Sequence, residues 1–306
     1  MKILITGGSG MVGRNLIEFL HENSNYQLHY PTSNELNLLD NRTVLKYLQN
    51  GNFDAVIHCA GLVGGIQANI QRPFSFLHLN LQMGVNIIDA AINCMVPKVV
   101  NLSSSCMYPK DSEGTLREQD ILTGRLEPTN EGYAIAKIAV SKLVEFAKKE
   151  FNLDYKTIIP CNLYGKYDKF DLETSHMIPA VIRKLHTAKL VNQKVEIWGD
   201  GTARREFMYA EDLADFVQFA INNYDKLDTY TNVGLGYDYS ILEYYIAIAE
   251  VVGYTGEFEF DLSKPTGVKK KLVSVDKQTF LGWKPKHTLS SGLHLTNNYF
   301  IENYGI

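Results

Sequence analysis

Apolar residues in this chain fall into short runs separated by amphipathic stretches. "KILIT" at 2–6 reads as a buried strand, and "RNLIEFLHEN" at 14–23 places Leu16, Phe19 and Leu20 on one face at helical spacing. "YQLHY" (26–30), "FDAVIHCAG" (53–61), "KVVNLSSS" (98–105) and "DYKTIIPCNLYG" (154–165) are further strands, and "NEGYAIAKIAVSKLVEFAKKEF" (130–151) is a long helix. Alternation of strand and helix through residue 165 predicts an α/β fold with a doubly wound parallel sheet. Beyond it the pattern loosens into the loop "LYGKYDKFDLETSHMIP", the helix "PAVIRKLHTAK" and "VEIWGDGTARREFMYAEDLADF", with no repeat, low-complexity tract or clean linker. We therefore expect a first domain over 1–165, joined by part of 205–236, and a smaller, interleaved lobe over 166–306 that closes on a substrate.

Composition changes this picture little. Of 306 residues 45% are hydrophobic and 21% charged, and 30 Lys+Arg against 34 Asp+Glu leave a net charge of −4, so no nucleic-acid footprint is expected. Four cysteines (Cys59, Cys94, Cys106, Cys161) lack CxxC or CxxH spacing, which argues against a disulfide framework or a zinc site. No signal-peptide core precedes the first strand and no apolar run approaches the roughly 20 residues of a membrane span, so a soluble cytoplasmic protein is expected.

Between the first strand and helix lies "GGSGMVG", with Gly7, Gly10 and Gly13 at GxxGxxG spacing. In a strand–turn–helix context such glycines let helix N-terminal amides approach a dinucleotide pyrophosphate, the Rossmann arrangement; the alternative is a tight turn alone. At the end of the second strand, where an NAD-preferring fold commonly places an acid against the ribose 2′-hydroxyl, stand Thr32, Ser33 and Asn34. Two hydroxyls and no carboxylate there favour NADP(H). His58, in the third strand, reads as a packed core residue.

Tyr133 and Lys137 lie four apart and so share a helix face, downstream of a strand ending in Ser103, Ser104 and Ser105. A nearby ammonium is expected to lower the pKa of the phenol, and Ser104 to hydrogen-bond a carbonyl being reduced. That is a proton relay for hydride transfer. It leaves Cys106, set directly against the serines, without a task, and on residue type alone it is as well explained as a small packed thiol. His176, similarly, reads as a polar residue at a helix start.

Taken with "ELNLLD", "SSSCMYPK", "LEPTNEGYAIAKIA", "NLYGKYDKF", "SHMIPA", "WGDGTARREF" and "SKPTG", these features resemble the extended short-chain dehydrogenase/reductases, most closely the GDP-L-fucose synthase group, over nearly the whole chain. The resemblance implies C3/C5 epimerisation of GDP-4-keto-6-deoxy-D-mannose followed by C4 reduction to GDP-L-fucose in one site. It implies Cys106 as base and His176 as acid, with Ser104, Tyr133 and Lys137 serving the C4 oxygen. Cofactor contacts are implied at Met11, Val12, Ser33, Asn37, Leu38, Ser103, Ser104, Lys137, Pro160, Asn162, Leu163 and His176, and substrate contacts at Lys184, Trp198 and Arg205. A homodimer through helices near 85–94 and 133–150 is likewise implied.

Two departures bear on substrate identity: Lys184 replaces a common Arg, and Thr266 a common Asp. A C4-reductase without epimerisation, for example on a related heptose, is the rival enzyme, although both Cys106 and His176 are retained. Sugar dehydratases of the superfamily carry Thr-Asp-Glu where this chain has Ser-Ser-Cys, and NADPH-sensing regulators usually lose the Tyr/Lys pair. Lys269, Lys270 and Lys271 read as a solvated charge run, with a pyrophosphate contact as the minority reading.

Overall fold

A computed structural model describes residues 1–112, 114–171, 175–264 and 268–305. In chain order the elements are β1 (Lys2–Thr6), α1 (Met11–Asn23), β2 (Gln27–His29), α2 (Asn41–Gly51), β3 (Ala55–His58), α3 (Ile66–Gln71), α4 (Pro73–Asn93), β4 (Lys98–Leu102), α5 (Glu131–Phe151), β5 (Lys156–Pro160) and β6 (Asn162–Tyr164). There follow α6 (Met177–Val191), β7 (Val195–Trp198), β8 (Arg204–Arg205), β9 (Phe207–Tyr209), α7 (Ala210–Asn222), β10 (Tyr230–Val233), β11 (Tyr239–Ser240), α8 (Ile241–Val252), β12 (Phe258–Asp261), β13 (Lys270–Lys271), α9 (Asp276–Phe280) and α10 (Leu289–Tyr304).

Six strands form one parallel sheet in the order β10-β5-β4-β3-β1-β2. Its alternating side chains feed two separate cores, as the two-residue period of a strand requires. Ile3, Ile5, Ile57 and Val100 pack with Leu16 of α1 and with Leu213, Phe216 and Val217 of α7. Leu4, Val56 and Val99 pack on the other face with Val44 and Leu48 of α2, Ile87 and Ile88 of α4, and Val140 and Val144 of α5. Gly84 permits the close approach of α4 to α5: a Cβ there would stand 2.2 Å from Val140 Cγ2. A third cluster joins α6, α8 and α10 through Ile178, Val181, Leu185, Tyr244, Ile248 and Phe300.

His58 is buried as expected, with Nδ1 2.8 Å from the Thr6 hydroxyl, and burial holds its imidazole down at about 3, so it is uncharged. Among the described residues no helix is long and apolar enough to cross a membrane. Thr266 lies outside the described residues.

Candidate active site

Strand order reverses between β1 and β3, and in open parallel sheets ligands lie beyond the carboxyl ends at such a point. A cavity opens there, lined by Met11, Val12, Cys59, Ser103, Ser104, Cys106, Asn130, Tyr133, Lys137, Pro160, Asn162, Leu163, His176, Arg205 and Lys271, among others.

The glycine turn beneath it is shaped for close approach. Gly7 holds φ +72°, and a Cβ there would lie 2.6 Å from Ala60 Cα; one on Gly13 would lie 2.2 Å from Gly7 O. Gly10 N donates to Gly7 O at 3.0 Å, while a Cβ on Gly10 would meet nothing nearer than 3.5 Å. Gly7 and Gly13 thus close the turn tightly, and Gly10 leaves space over the N-terminus of α1, where a pyrophosphate fits.

Ser33, Asn37 and Leu38 do not line the cavity among the described residues. Ser33 and Asn37 are exposed, and Leu38 packs against the α2–α4 core. The Thr32 hydroxyl is not open as the sequence suggests: Glu35 folds back and accepts from Thr32 N at 2.7 Å and from Thr32 Oγ1 at 2.9 Å.

The relay residues meet. Ser104, half-buried at the end of β4, hydrogen-bonds the Tyr133 phenol, and Lys137 Nζ donates to Leu102 O at 2.8 Å. Contrary to expectation the phenol's pKa is raised, because burial and the nearby Cys106 outweigh the Ser104 hydrogen bond. Lys137 is itself 7% exposed, and burial pushes its ammonium down to about 8. Tyr133 therefore keeps its proton at neutral pH, which suits a proton donor.

Cys106 sits in a single turn of 3₁₀ helix after Ser104, its N–H donating to Ser104 Oγ at 3.2 Å. Asn130 Nδ2 donates to its sulfur at 3.2 Å and Lys271 Nζ at 3.5 Å. The charge-run reading is thus corrected for Lys271, which β13 sets in register with Arg205 of β8 and which lines the cavity; Lys270 also reaches the cavity but is exposed, 3.5 Å from Asp238, and Lys269 is exposed. His176 stands at the N-cap position of α6 in the same cavity, and burial, with Lys169 nearby, lowers its pKa.

Arg205 lines the cavity near Glu127. Lys184 and Trp198 do not line it among the described residues. Both turn to Glu196: Lys184 Nζ donates to its backbone oxygen, and Trp198 Nε1 donates to its carboxylate at 2.9 Å. The Trp198 ring remains 43% exposed, with the Lys264 ammonium 5.7 Å from its centre. Asn130, Glu127 and Lys110 also line the cavity, and the reading of the sequence does not place them there. "EPTN" just ahead of the Tyr/Lys helix was a usable signal for Asn130, since a residue before a helix that carries catalytic groups shares their surroundings. Among the described lining residues Lys110, Lys137, Arg205, Lys270 and Lys271 face one acid, Glu127, a balance that suits a diphosphate.

Residues 3–236 match the NAD dependent epimerase/dehydratase family. The chain is 52% identical to the GDP-L-colitose synthase of Yersinia pseudotuberculosis, over 98% of each chain. It is 46% identical to the GDP-L-fucose synthase of Azorhizobium caulinodans, over 98% of this chain and 96% of that one. A solved GDP-mannoheptose C4 reductase from Campylobacter jejuni, with NADP bound, superposes with a TM-score of 0.89 at 30% identity, covering 98% of both chains.

Proposed function

Because the chain belongs to the NAD dependent epimerase/dehydratase family, we propose that it is an NADP(H)-dependent epimerase/reductase of a GDP-linked 4-keto-6-deoxy sugar, with GDP-4-keto-6-deoxy-D-mannose giving GDP-L-fucose as the leading reaction. The observation that carries this reading is the presence of Cys106 and His176 in the same cavity as Ser104, Tyr133 and Lys137. Reduction alone leaves the first pair without a task.

Carbons beside a ketone lose a proton when a base stands on one side, and inversion follows when an acid returns a proton on the other. Cys106 takes the proton, Ser104 and Tyr133 hydrogen-bond the enolate oxygen at C4, and His176 returns a proton to the opposite face. Bound NADPH supplies the hydride for C4. Tyr133 then protonates the C4 oxygen, and Lys137 carries positive charge beside it. Gly7, Gly10 and Gly13 make room for the cofactor pyrophosphate at α1, and Arg205 suits the diphosphate of the GDP sugar.

The 52% identical colitose synthase favours a second reading for the sugar. L-Colitose is the 3-deoxy counterpart of L-fucose, so a substrate without the 3-hydroxyl calls for inversion at C5 only. Incubation with NADPH and GDP-4-keto-6-deoxymannose or its 3-deoxy analogue in deuterated water, with products resolved by NMR, tests both. Deuterium at C3 and C5 with reduction at C4 supports the fucose reaction. Preference for the 3-deoxy substrate supports the colitose one, and reduction without exchange leaves a simple C4-reductase.

A homodimer belongs to the same reading. Helices α4 and α5 expose Phe74, Val85, Ile135 and Phe146, an apolar surface suited to a second copy. Sedimentation of wild type as a dimer and of Ile135→Glu as a monomer is the expected outcome. The four free cysteines fit a reducing, cytoplasmic setting.

A further inference from the structure

Two N–H donors converge on the sulfur of Cys106, the amide of Asn130 at 3.2 Å and the ammonium of Lys271 at 3.5 Å. A neutral thiol is a weak acceptor, whereas a sulfur anion is stabilised by a neighbouring cation and N–H groups. The other thiols are placed differently. Burial pushes Cys59 up to about 12, raises Cys94, and raises Cys161 well above its ordinary value.

Lys271 is also held in place. Leu272 O accepts from Leu116 N at 2.8 Å, and Ser274 N donates to Leu116 O at 2.8 Å, so the segment after β13 is stitched to residue 116. Between these bonds Val273 N donates at 3.0 Å to Glu206, a carboxylate only 1% exposed whose other oxygen takes Leu235 N at 2.6 Å and Gly236 N at 3.0 Å. The lysine therefore reaches Cys106 from a pinned strand. Among the described residues, Tyr133 and Lys137 of α5 and Lys271 of β13 act on or are acted on by the sulfur, and Lys110, Glu127, His176, Arg205 and Lys270 line the same cavity.

We propose that Lys271 is a positioning residue for epimerisation which, together with Asn130, holds Cys106 as the anionic base that removes the proton beside the C4 ketone. In that step the C–H bond breaks and its electron pair forms the enolate C=C. The ketone oxygen takes the negative charge, and the proton passes to sulfur as S–H. The inference rests on the reading of Cys106 as a base, so its test needs a readout that does not require turnover.

Iodoacetamide alkylation of the full-length, substrate-free protein, mapped to Cys106 by peptide mass with Cys106→Ser as the blank, provides one. At pH 7 Lys271→Met is expected to slow alkylation about tenfold, as loss of a cation within a few ångströms implies, and to move the pH–rate profile to higher pH. Lys271→Arg should recover most of the rate, and Asn130→Ala should slow it less than Lys271→Met does. NADPH binding by fluorescence confirms that each variant is folded. Deuterium exchange at the substrate carbons should fall alongside alkylation. A folded Lys271→Met that alkylates at the wild-type rate overturns the proposal, and if its exchange falls nonetheless, the lysine serves the substrate phosphates instead. Wild-type protein that exchanges no deuterium overturns the epimerase reading, while the alkylation arm still decides whether Lys271 holds the sulfur anion.

Discussion

On one side of the cavity, residues follow directly from apolar strands of the parallel sheet: Cys59 and Gly61 after β3, Ser103 to Cys106 after β4, Pro160 to Leu163 at the end of β5 and after it. On the other, Asn130 stands ahead of α5, His176 is at the N-cap position of α6, and Arg205 and Lys271 come from two-residue strands that, among the described residues, pair with each other and with β11. The first wall is fixed by a sheet with a core on each face. The second is assembled from remote segments by a few backbone hydrogen bonds and the buried carboxylate of Glu206. One wall suits a cofactor with a fixed shape, and the other can be altered without disturbing the sheet.

The largest effect should come from Tyr133 on α5. Tyr133→Phe removes the group that protonates the C4 oxygen, and loss of a positioned acid typically costs about 10²–10⁴-fold. Steady-state reduction should fall by that order while NADPH binding stays near normal. Substantial remaining turnover would mean that another group protonates the C4 oxygen.

Cys106→Ser should separate epimerisation from reduction. A hydroxyl is far less acidic than a thiol, so deuterium exchange beside the ketone should drop sharply, within the same range. Hydride transfer should still proceed, on the unepimerised sugar. His176→Asn should impair inversion from the opposite face. A Cys106→Ser enzyme that still yields the fully inverted product would move the base elsewhere.

The same contrast explains what could be read from the chain alone. Each inner sheet strand is a short apolar run buried on both faces, so its carboxyl end, and the small and polar residues that follow it, can be located in the sequence. Lys271 was misread because β13 is too short to show any period, and because a lysine run is solvated in most settings; only its register against Arg205 turns it inward. Trp198 and Lys184, implied as substrate contacts, lie outside the cavity among the described residues and both turn to Glu196, a partner no spacing rule reveals. The direction of the Tyr133 shift was missed for a related reason: YxxxK spacing gives the neighbour but not the burial that outweighs it.

A smaller effect concerns pH. Burial lowers the pKa of Lys137 to about 8, so the ammonium is present below that pH and lost as pH rises through it. The kcat/KM for reduction, which reports the free enzyme, should therefore decline above about pH 8. A decline that begins only near the ordinary lysine value of about 10.4 would show that the burial of Lys137 does not govern activity.

The smallest expected effect tests the edge of the cofactor wall. Pro31, Thr32, Ser33 and Asn34 after β2 carry no carboxylate of their own to repel a 2′-phosphate or grip a 2′-hydroxyl, but the Glu35 carboxylate folds back onto Thr32. The structure tempers this preference. Glu35 occupies the Thr32 hydroxyl and backbone N–H, leaving Ser33 exposed as the hydroxyl still available there, and no Arg or Lys stands in 30–35. A single neutral donor without a cation favours the phosphate only modestly, so kcat/KM should be several-fold higher for NADPH than for NADH rather than orders of magnitude higher. Ser33→Arg should widen the gap by adding a bidentate cation, and Ser33→Asp should reverse it. Equal kcat/KM for the two cofactors in wild type, or a Ser33→Asp variant that keeps its preference for NADPH, would place the 2′-phosphate contact on other residues.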